Sequence, residues 1–172
     1  MIKIKQILKE VDRTASYKVK MPFQRAKKLS DKVAEILKDN GFKGIIVCGS
    51  IRRKKSEVGD IDIMAKGDLS VLDEIRQFEV IRGGTESYTF VFKGQQINLY
   101  KYEDKYYGAM LFYLTGPQQY QIAYRRIAKN KGYKLTQKGL FTETGRFIAG
   151  RTEEEIYSKL GKEWKKPELR GK

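Results

Sequence analysis

Residues 48–67 read CGSIRRKKSEVGDIDIMAKG, and the fold is decided by how that stretch is read. It is entered from a short continuous apolar run, GIIVC (44–48), which predicts a buried strand. A Gly49-Ser50 turn after such a strand exposes backbone N–H groups and a hydroxyl, which suits a phosphate. Arg52 and Arg53 follow, and a guanidinium can fork onto phosphate oxygens. DIDIMA (60–65) then alternates acid and aliphatic, so Asp60 and Asp62 share one face of a strand. Both carboxylates can reach a Mg²⁺ ion that also takes phosphate oxygens. A D-x-D pair alone is ordinary on a solvated strand. With the Gly-Ser turn and the arginines in front of it, it points to a nucleoside triphosphate held together with a metal.

The pattern extends outward in both directions. FQRAKKLSDKVAEILKDN (23–40) carries Leu29, Val33, Ile36 and Leu37 at helical spacing, with Gly41 as a stop. DLSVLDEIRQF (68–78) reads as a helix with Ser70 and Asp73 at capping-box spacing. SYTFVF and QINLY flank KGQ, a hairpin with Gly94 in its turn. A helix from about Tyr107 is interrupted at Gly116-Pro117, and a second runs to Asn130 with Gly132 closing it. YKLT, GLFTE and GRFIAG predict a small sheet, and TEEEIYSKL (152–160) a capped helix. The fold class is α+β: helices on a small mixed sheet over residues 1–105, then a helical/β lobe over 106–172. The basic N-terminal stretch MIKIKQILKEVDRTASYKVK has no unbroken apolar run and no small-residue cleavage site, and it reads as part of the mature fold.

Bulk composition narrows the partner. Thirty-six Lys and Arg against 21 Asp and Glu give a net charge of +15, which calls for a polyanion. Between Gln118 and Thr142 there are six basic residues and no acidic one, a field suited to a nucleic-acid backbone. Read by themselves, Arg125 and Arg126 are a solvated basic face, and Tyr113 and Leu114 ordinary helix core. With no histidine, carboxylates are left as the metal ligands. The single cysteine, Cys48, reads as a small buried residue and fits a reducing compartment. No apolar run approaches the roughly 20 residues of a membrane span.

The stretch CGSIRRKKSEVGDIDIMAK resembles the palm signature of the family X DNA polymerases, the DNA polymerase beta-like nucleotidyltransferases. YLTGPQQYQIAYRRIAKNKGYKL (113–135), GLF (139–141) and TEEEIYSKLGKEWKKPELR (152–170) carry the same resemblance, which runs from about Pro22 to Arg170. It implies a palm (1–105) and a thumb (106–172), with no room before Pro22 for a lyase domain or a helix-hairpin-helix segment. It implies that Gly49, Ser50, Arg53 and Gly59, with Arg25 as an addition, hold the nucleotide phosphates. Asp60 and Asp62 match the carboxylates that bridge two Mg²⁺ ions, which Mn²⁺ can replace. Tyr113, Leu114, Thr115 and Gly116 match the stretch against the nucleotide sugar, and Gln121 and Arg125 the contacts to base and template. Arg126, Lys129, Lys131 and Lys134 continue the DNA-binding surface. Leu114 stands where an aromatic residue is common, and Gln121 where an asparagine is. The implied protein is a monomeric, template-directed DNA polymerase that fills short gaps in primer–template DNA from deoxynucleoside triphosphates, cytoplasmic or viral and not secreted. A non-templated nucleotidyltransferase and a non-catalytic DNA- and nucleotide-binding relative remain as alternatives.

One position departs from that pattern in a way that bears on chemistry. The third carboxylate, the family's ligand to the first metal and acceptor of the primer hydroxyl proton, falls on Asn98 in GQQINLYKY (94–102). An amide oxygen can ligate a metal but brings no charge and accepts no proton at neutral pH. Three explanations stand side by side: a deliberate exchange that traps a complex before chemistry, a natural relative with weakened turnover, or substitution by Glu103 or Asp104.

Overall fold

The computed structural model describes residues 19–171, so the expectation for the N-terminal stretch falls, up to residue 18, outside the described residues. A short strand β1 (Met21–Pro22) leads into helix α1 (Phe23–Asp39). Strand β2 (Lys43–Val47), the one-turn helix α2 (Gly49–Arg52), β3 (Glu57–Val58) and β4 (Ile61–Lys66) follow. Strands β5 (Glu79–Arg82), β6 (Ser87–Phe92) and β7 (Gln95–Lys101) complete a five-stranded sheet in the order β2-β4-β7-β6-β5. β4 and β7 run parallel and the other pairs antiparallel, so the sheet is mixed. The β6–β7 hairpin turns on Lys93 and Gly94, both at positive φ (50° and 76°), the type I′ geometry that matches the twist of the flanking strands.

The architecture is α+β, as the sequence predicts, and the alternation along the strands builds it. Ile61, Ile63 and Ala65 of β4, Ile97 and Leu99 of β7 and Phe90 and Phe92 of β6 point to one face, where Ala26, Val33 and Leu37 of α1 cover them. Asp62 and Met64 point to the other face. There Met64 packs with Cys48, Met110, Leu111 and Leu114 under helix α3 (Tyr107–Thr115), while Asp62 is left at the uncovered end. A slip of one residue in register would send the aspartates into the core.

After α3 come α4 (Gln118–Asn130), the three-stranded sheet of β8 (Tyr133–Thr136), β9 (Gly139–Thr142) and β10 (Phe147–Ala149), and α5 (Glu153–Lys159). They enclose a second core built on Phe112, Tyr124, Leu140, Ile156 and Tyr157. α5 starts with a capping box: Thr152 accepts from the Glu155 N–H at 3.2 Å, and the Glu155 carboxylate takes the N–H groups of Gly150 and Arg151.

Two local expectations are corrected. The 44–48 run forms not a buried strand but an edge, with Lys43 and Gly44 exposed and Ile45, Ile46 and Val47 half-buried, because β4 is its only neighbour in the sheet. The 68–78 segment is a 3₁₀ stretch over Leu69–Glu74, capped by Asp68 rather than Ser70. The Asp68 carboxylate accepts the Ser70 N–H at 3.0 Å and its hydroxyl at 2.8 Å, which a two-residue turn satisfies better than a longer helix. Strand β5 (EVIR) was not predicted at all, being only four residues long.

The two lobes meet at a buried charge cluster. Glu153 receives Arg170 through two hydrogen bonds (2.6 and 3.0 Å) and Arg52 of α2 through two more (3.1 and 2.9 Å). Burial alone would raise the Glu153 carboxyl, but the Arg170 and Arg52 hydrogen bonds more than reverse this and hold it below the usual carboxylate range. A depressed folded value contributes stability that is present above the unfolded pKa, roughly 4.3, and is lost as pH falls through the folded one. Glu153→Gln leaves two guanidinium groups without a counter-charge in the interior and is expected to cost about 3–5 kcal/mol in urea denaturation at pH 7. The loss shrinks toward pH 3, where the wild-type carboxyl is itself protonated; an equal loss at both pH values would contradict the assignment.

Candidate active site

Each part of the site is placed by a backbone feature that the residue types require. Gly49 opens α2 at φ +58°, and a Cβ there would run into the Asp62 carboxylate, so the turn needs glycine for its conformation and for its closeness to the acid. The Cys48 N–H donates to the Asp62 carbonyl at 2.7 Å, tying the turn to β4. Gly59, in contrast, has a negative φ and open space where a Cβ would go. Its carbonyl accepts a 2.5 Å hydrogen bond from the buried Gln95 amide, which fixes the loop delivering Asp60.

Asp62, Asn98 and Thr89 lie side by side across β4, β7 and β6. The Asn98 amide nitrogen donates to Asp62 Oδ1 at 3.0 Å and to Asp60 Oδ2 at 3.4 Å. Its oxygen accepts from the Thr89 hydroxyl at 3.2 Å and from Gln96 Nε2 at 3.1 Å. Two carboxylates on one face are hard oxygen donors that suit Mg²⁺. Among the described residues no group of three His, Cys, Asp or Glu converges to hold an ion, so neither Glu103 nor Asp104 completes the pair, and Asp104 is engaged by Lys66 at 2.9 Å. Asp60 and Asp62 therefore fit a divalent cation, with Asn98 presenting N–H groups where the family pattern has an acid.

The arginines after the turn are both anchored to Thr115. Arg52 Nη1 donates to its hydroxyl at 2.7 Å and Arg53 Nη1 to its carbonyl at 2.5 Å, and Thr115 is fully buried. Burial lowers the Arg53 guanidinium from its ordinary value, against the opposing pull of the Asp62 and Asp60 carboxylates. It remains charged at any pH of interest. Burial first, and the Asp62 charge second, push the Cys48 thiol far up, so it stays protonated and unreactive.

The remaining predicted residues divide into two groups. Leu114 is core, and Gln121 is buried with its amide nitrogen on the Phe112 carbonyl at 2.6 Å, below a Gly116 whose Cβ would strike it. Arg125, Arg126, Lys129, Lys131 and Lys134 are exposed, as is Arg25 on α1. The Arg125 guanidinium lies 5.5 Å from the Tyr113 ring centre, and both line a groove with Lys129, Lys134 and Lys138. Tyr100, which sequence reasoning missed, joins the acids to that groove. Burial, then Asp62, Tyr113 and Asp60, push its hydroxyl up to about 12. Its signal was present, since it is two residues beyond Asn98 and on the same strand face.

The DNA polymerase beta thumb family matches residues 110–171. The Repair DNA polymerase X of African swine fever virus (isolate Tick/Malawi/Lil 20-1/1983) is 33% identical, over 74% of this chain and 82% of the relative. The same protein from the Badajoz 1971 Vero-adapted strain matches at 33% with the same coverage, and that of isolate Warthog/Namibia/Wart80/1980 at 31%.

Asn98→Asp would exchange two donated hydrogen bonds for a third carboxylate in contact with two others. It is expected to lower Tm in EDTA by several degrees, from about 1–3 kcal/mol at roughly 2–4 °C per kcal/mol, and Mg²⁺ is expected to restore it. A metal-independent Tm equal to that of the wild type would rule out the amide bridge.

Proposed function

Because the chain belongs to the family X DNA polymerases, we propose that it binds gapped or primer–template DNA and adds a deoxynucleotide to the primer 3′ end, releasing pyrophosphate. The observation that carries this reading is the Asp60–Asp62 pair on the one uncovered stretch of sheet face, beside the Gly49 turn and Arg53. Residues 1–105 serve as palm and 106–172 as thumb. Asp60 and Asp62 would hold Mg²⁺, or Mn²⁺ in its place. A divalent cation bound there supplies charge to the triphosphate and favours ionisation of the attacking hydroxyl.

The chain's own groups do the rest. Gly49 and Ser50 present the turn to the phosphates, and Arg53 adds a fixed positive charge held by Thr115. Tyr113 and Gly116 border the sugar and base, while Gln121 acts from beneath, keeping Gly116 close to α4. Arg125, Arg126, Lys129, Lys131 and Lys134 take DNA phosphates on their exposed faces. A palm and thumb of this size suit short-gap filling by a monomer in DNA repair.

Asn98 also favours a second reading. With no carboxylate to accept the primer hydroxyl proton, the complex of DNA and nucleotide forms but turns over slowly. The deciding experiment is extension across a one-nucleotide gap with Mg²⁺. Asn98→Asp is expected to extend at least ~10²-fold faster than the wild type. If neither extends while both bind DNA and nucleotide, the protein is a recognition device and the polymerase reading is withdrawn. For the thumb, Lys129→Ala is expected to weaken binding to all sequences alike and to reduce the slope of log K against log salt by about one. An unchanged slope would remove Lys129 from the interface.

A further inference from the structure

The four polar groups around Asn98 are of fixed kinds. On one side stand the Asp60 and Asp62 carboxylates, which when ionised only accept hydrogen bonds. On the other stand the Thr89 hydroxyl and the Gln96 amide, both donating to Asn98 Oδ1 at 3.2 and 3.1 Å. The side chain thus has two acceptors facing its nitrogen and two donors facing its oxygen. Rotating the amide by half a turn would set its oxygen against carboxylate oxygens and its NH₂ against the Gln96 nitrogen. All four hydrogen bonds would be lost unless Thr89 and Gln96 turned with it. Asn98 and Thr89 are both buried, so water does not compensate on that side.

We propose that Asn98 is a locked hydrogen-bond bridge that occupies the primer-side metal position, leaving a site that takes one divalent cation with the nucleotide instead of two. The inference rests on the nucleotidyl-transfer reading above. Its content is the part played by Thr89 and Gln96. These are positioning residues: they touch neither nucleotide nor metal, but they hold the amide nitrogen, and not the amide oxygen, toward the carboxylates. A cation approaching from the Asn98 side meets N–H groups and must break a four-bond network to find a neutral oxygen ligand. On the opposite side of Asp60 and Asp62, the carboxylate oxygens stay available to a cation that arrives with the triphosphate. The protein then closes on nucleotide and DNA without completing the primer side, and holds the complex.

The test counts bound Mn²⁺ by electron paramagnetic resonance on the full chain with one-nucleotide-gap DNA and a non-hydrolysable deoxynucleoside triphosphate analogue. The wild type is expected to bind one Mn²⁺ per ternary complex and Asn98→Asp two. Gln96→Met and Thr89→Val, which remove the donors but keep Asn98, are expected to tighten the second Mn²⁺ at least ~10-fold, because the amide is freed to present its oxygen. Gln96 is only half-buried, so Gln96→Met carries this arm alone if Thr89→Val does not fold, as judged by thermal melting. Two ions in the wild type would overturn the proposal. So would a Gln96→Met protein that holds a single ion as weakly as the wild type while Asn98→Asp holds two. If no variant binds Mn²⁺ together with nucleotide, the polymerase reading itself fails and the inference goes with it.

Discussion

Glu153 is a buried carboxylate answering to two guanidinium groups from distant parts of the chain, Arg52 and Arg170, with the Trp164 indole N–H as a third donor at 3.3 Å. Most of the arrangement hangs on it. Arg52 is the last residue of the one-turn helix that begins at Gly49, so holding its head group against α5 also fixes where the phosphate-facing turn sits relative to the thumb. Arg53, next in sequence, grips the Thr115 carbonyl, and Arg52 the Thr115 hydroxyl. The end of α3 is thereby clamped to the acid-bearing sheet from two directions. Three charges out of water are a poor source of net stability, and apolar side chains of the same volume could join the lobes as firmly. What apolar contact does not supply is a direction, and bidentate guanidinium–carboxylate pairs do.

The candidate site exists because the sheet is covered unevenly. One face is sealed by α1 along most of its length, and the other is covered by α3 only around Met64. At the open end the strand alternation brings up Asp62, Asn98 and Thr89 instead of aliphatic residues. Polar side chains there meet each other and solvent, so they are partnered where a matching row inside the core would be costly. Tyr100 stands at the border: its ring packs with the α3 cluster, and its hydroxyl is raised by the carboxylates beyond.

What could be read in the sequence was local. The period of two in DIDIMA, the helical stripe of 23–40, the hairpin around Gly94 and the Thr152 cap each depend on neighbours within a few residues, and each has its counterpart in the structure. What could not be read depends on which strand lies beside which. The Thr89–Asn98 contact follows from hairpin register, and the Asp62–Asn98 contact from a parallel pairing across an intervening crossover. The Arg52–Glu153 link joins residues 101 positions apart, and no local pattern announces it. GIIVC looked like a central strand because an apolar run does not say how many neighbours it has. Gln121 is a middle case: it falls on the same stripe of α4 as the buried Tyr124 and Ala128, a spacing that marks it as inward-facing.

The same sheet has two outer strands, β2 and β5, and both pairings that join them to the sheet are irregular. Register shifts fall between Lys43 and Ile46 on one side and between Val80 and Arg82 on the other. Such breaks bend a strand and interrupt its row of backbone donors and acceptors, and Lys43, Glu79 and Arg82 add exposed charge along those edges. Neither border is therefore a flat template onto which a second molecule could zip. A chain that must be drawn to a polyanion, and so accumulate in crowded patches along it, carries at its margins a guard against sticking to its own copies.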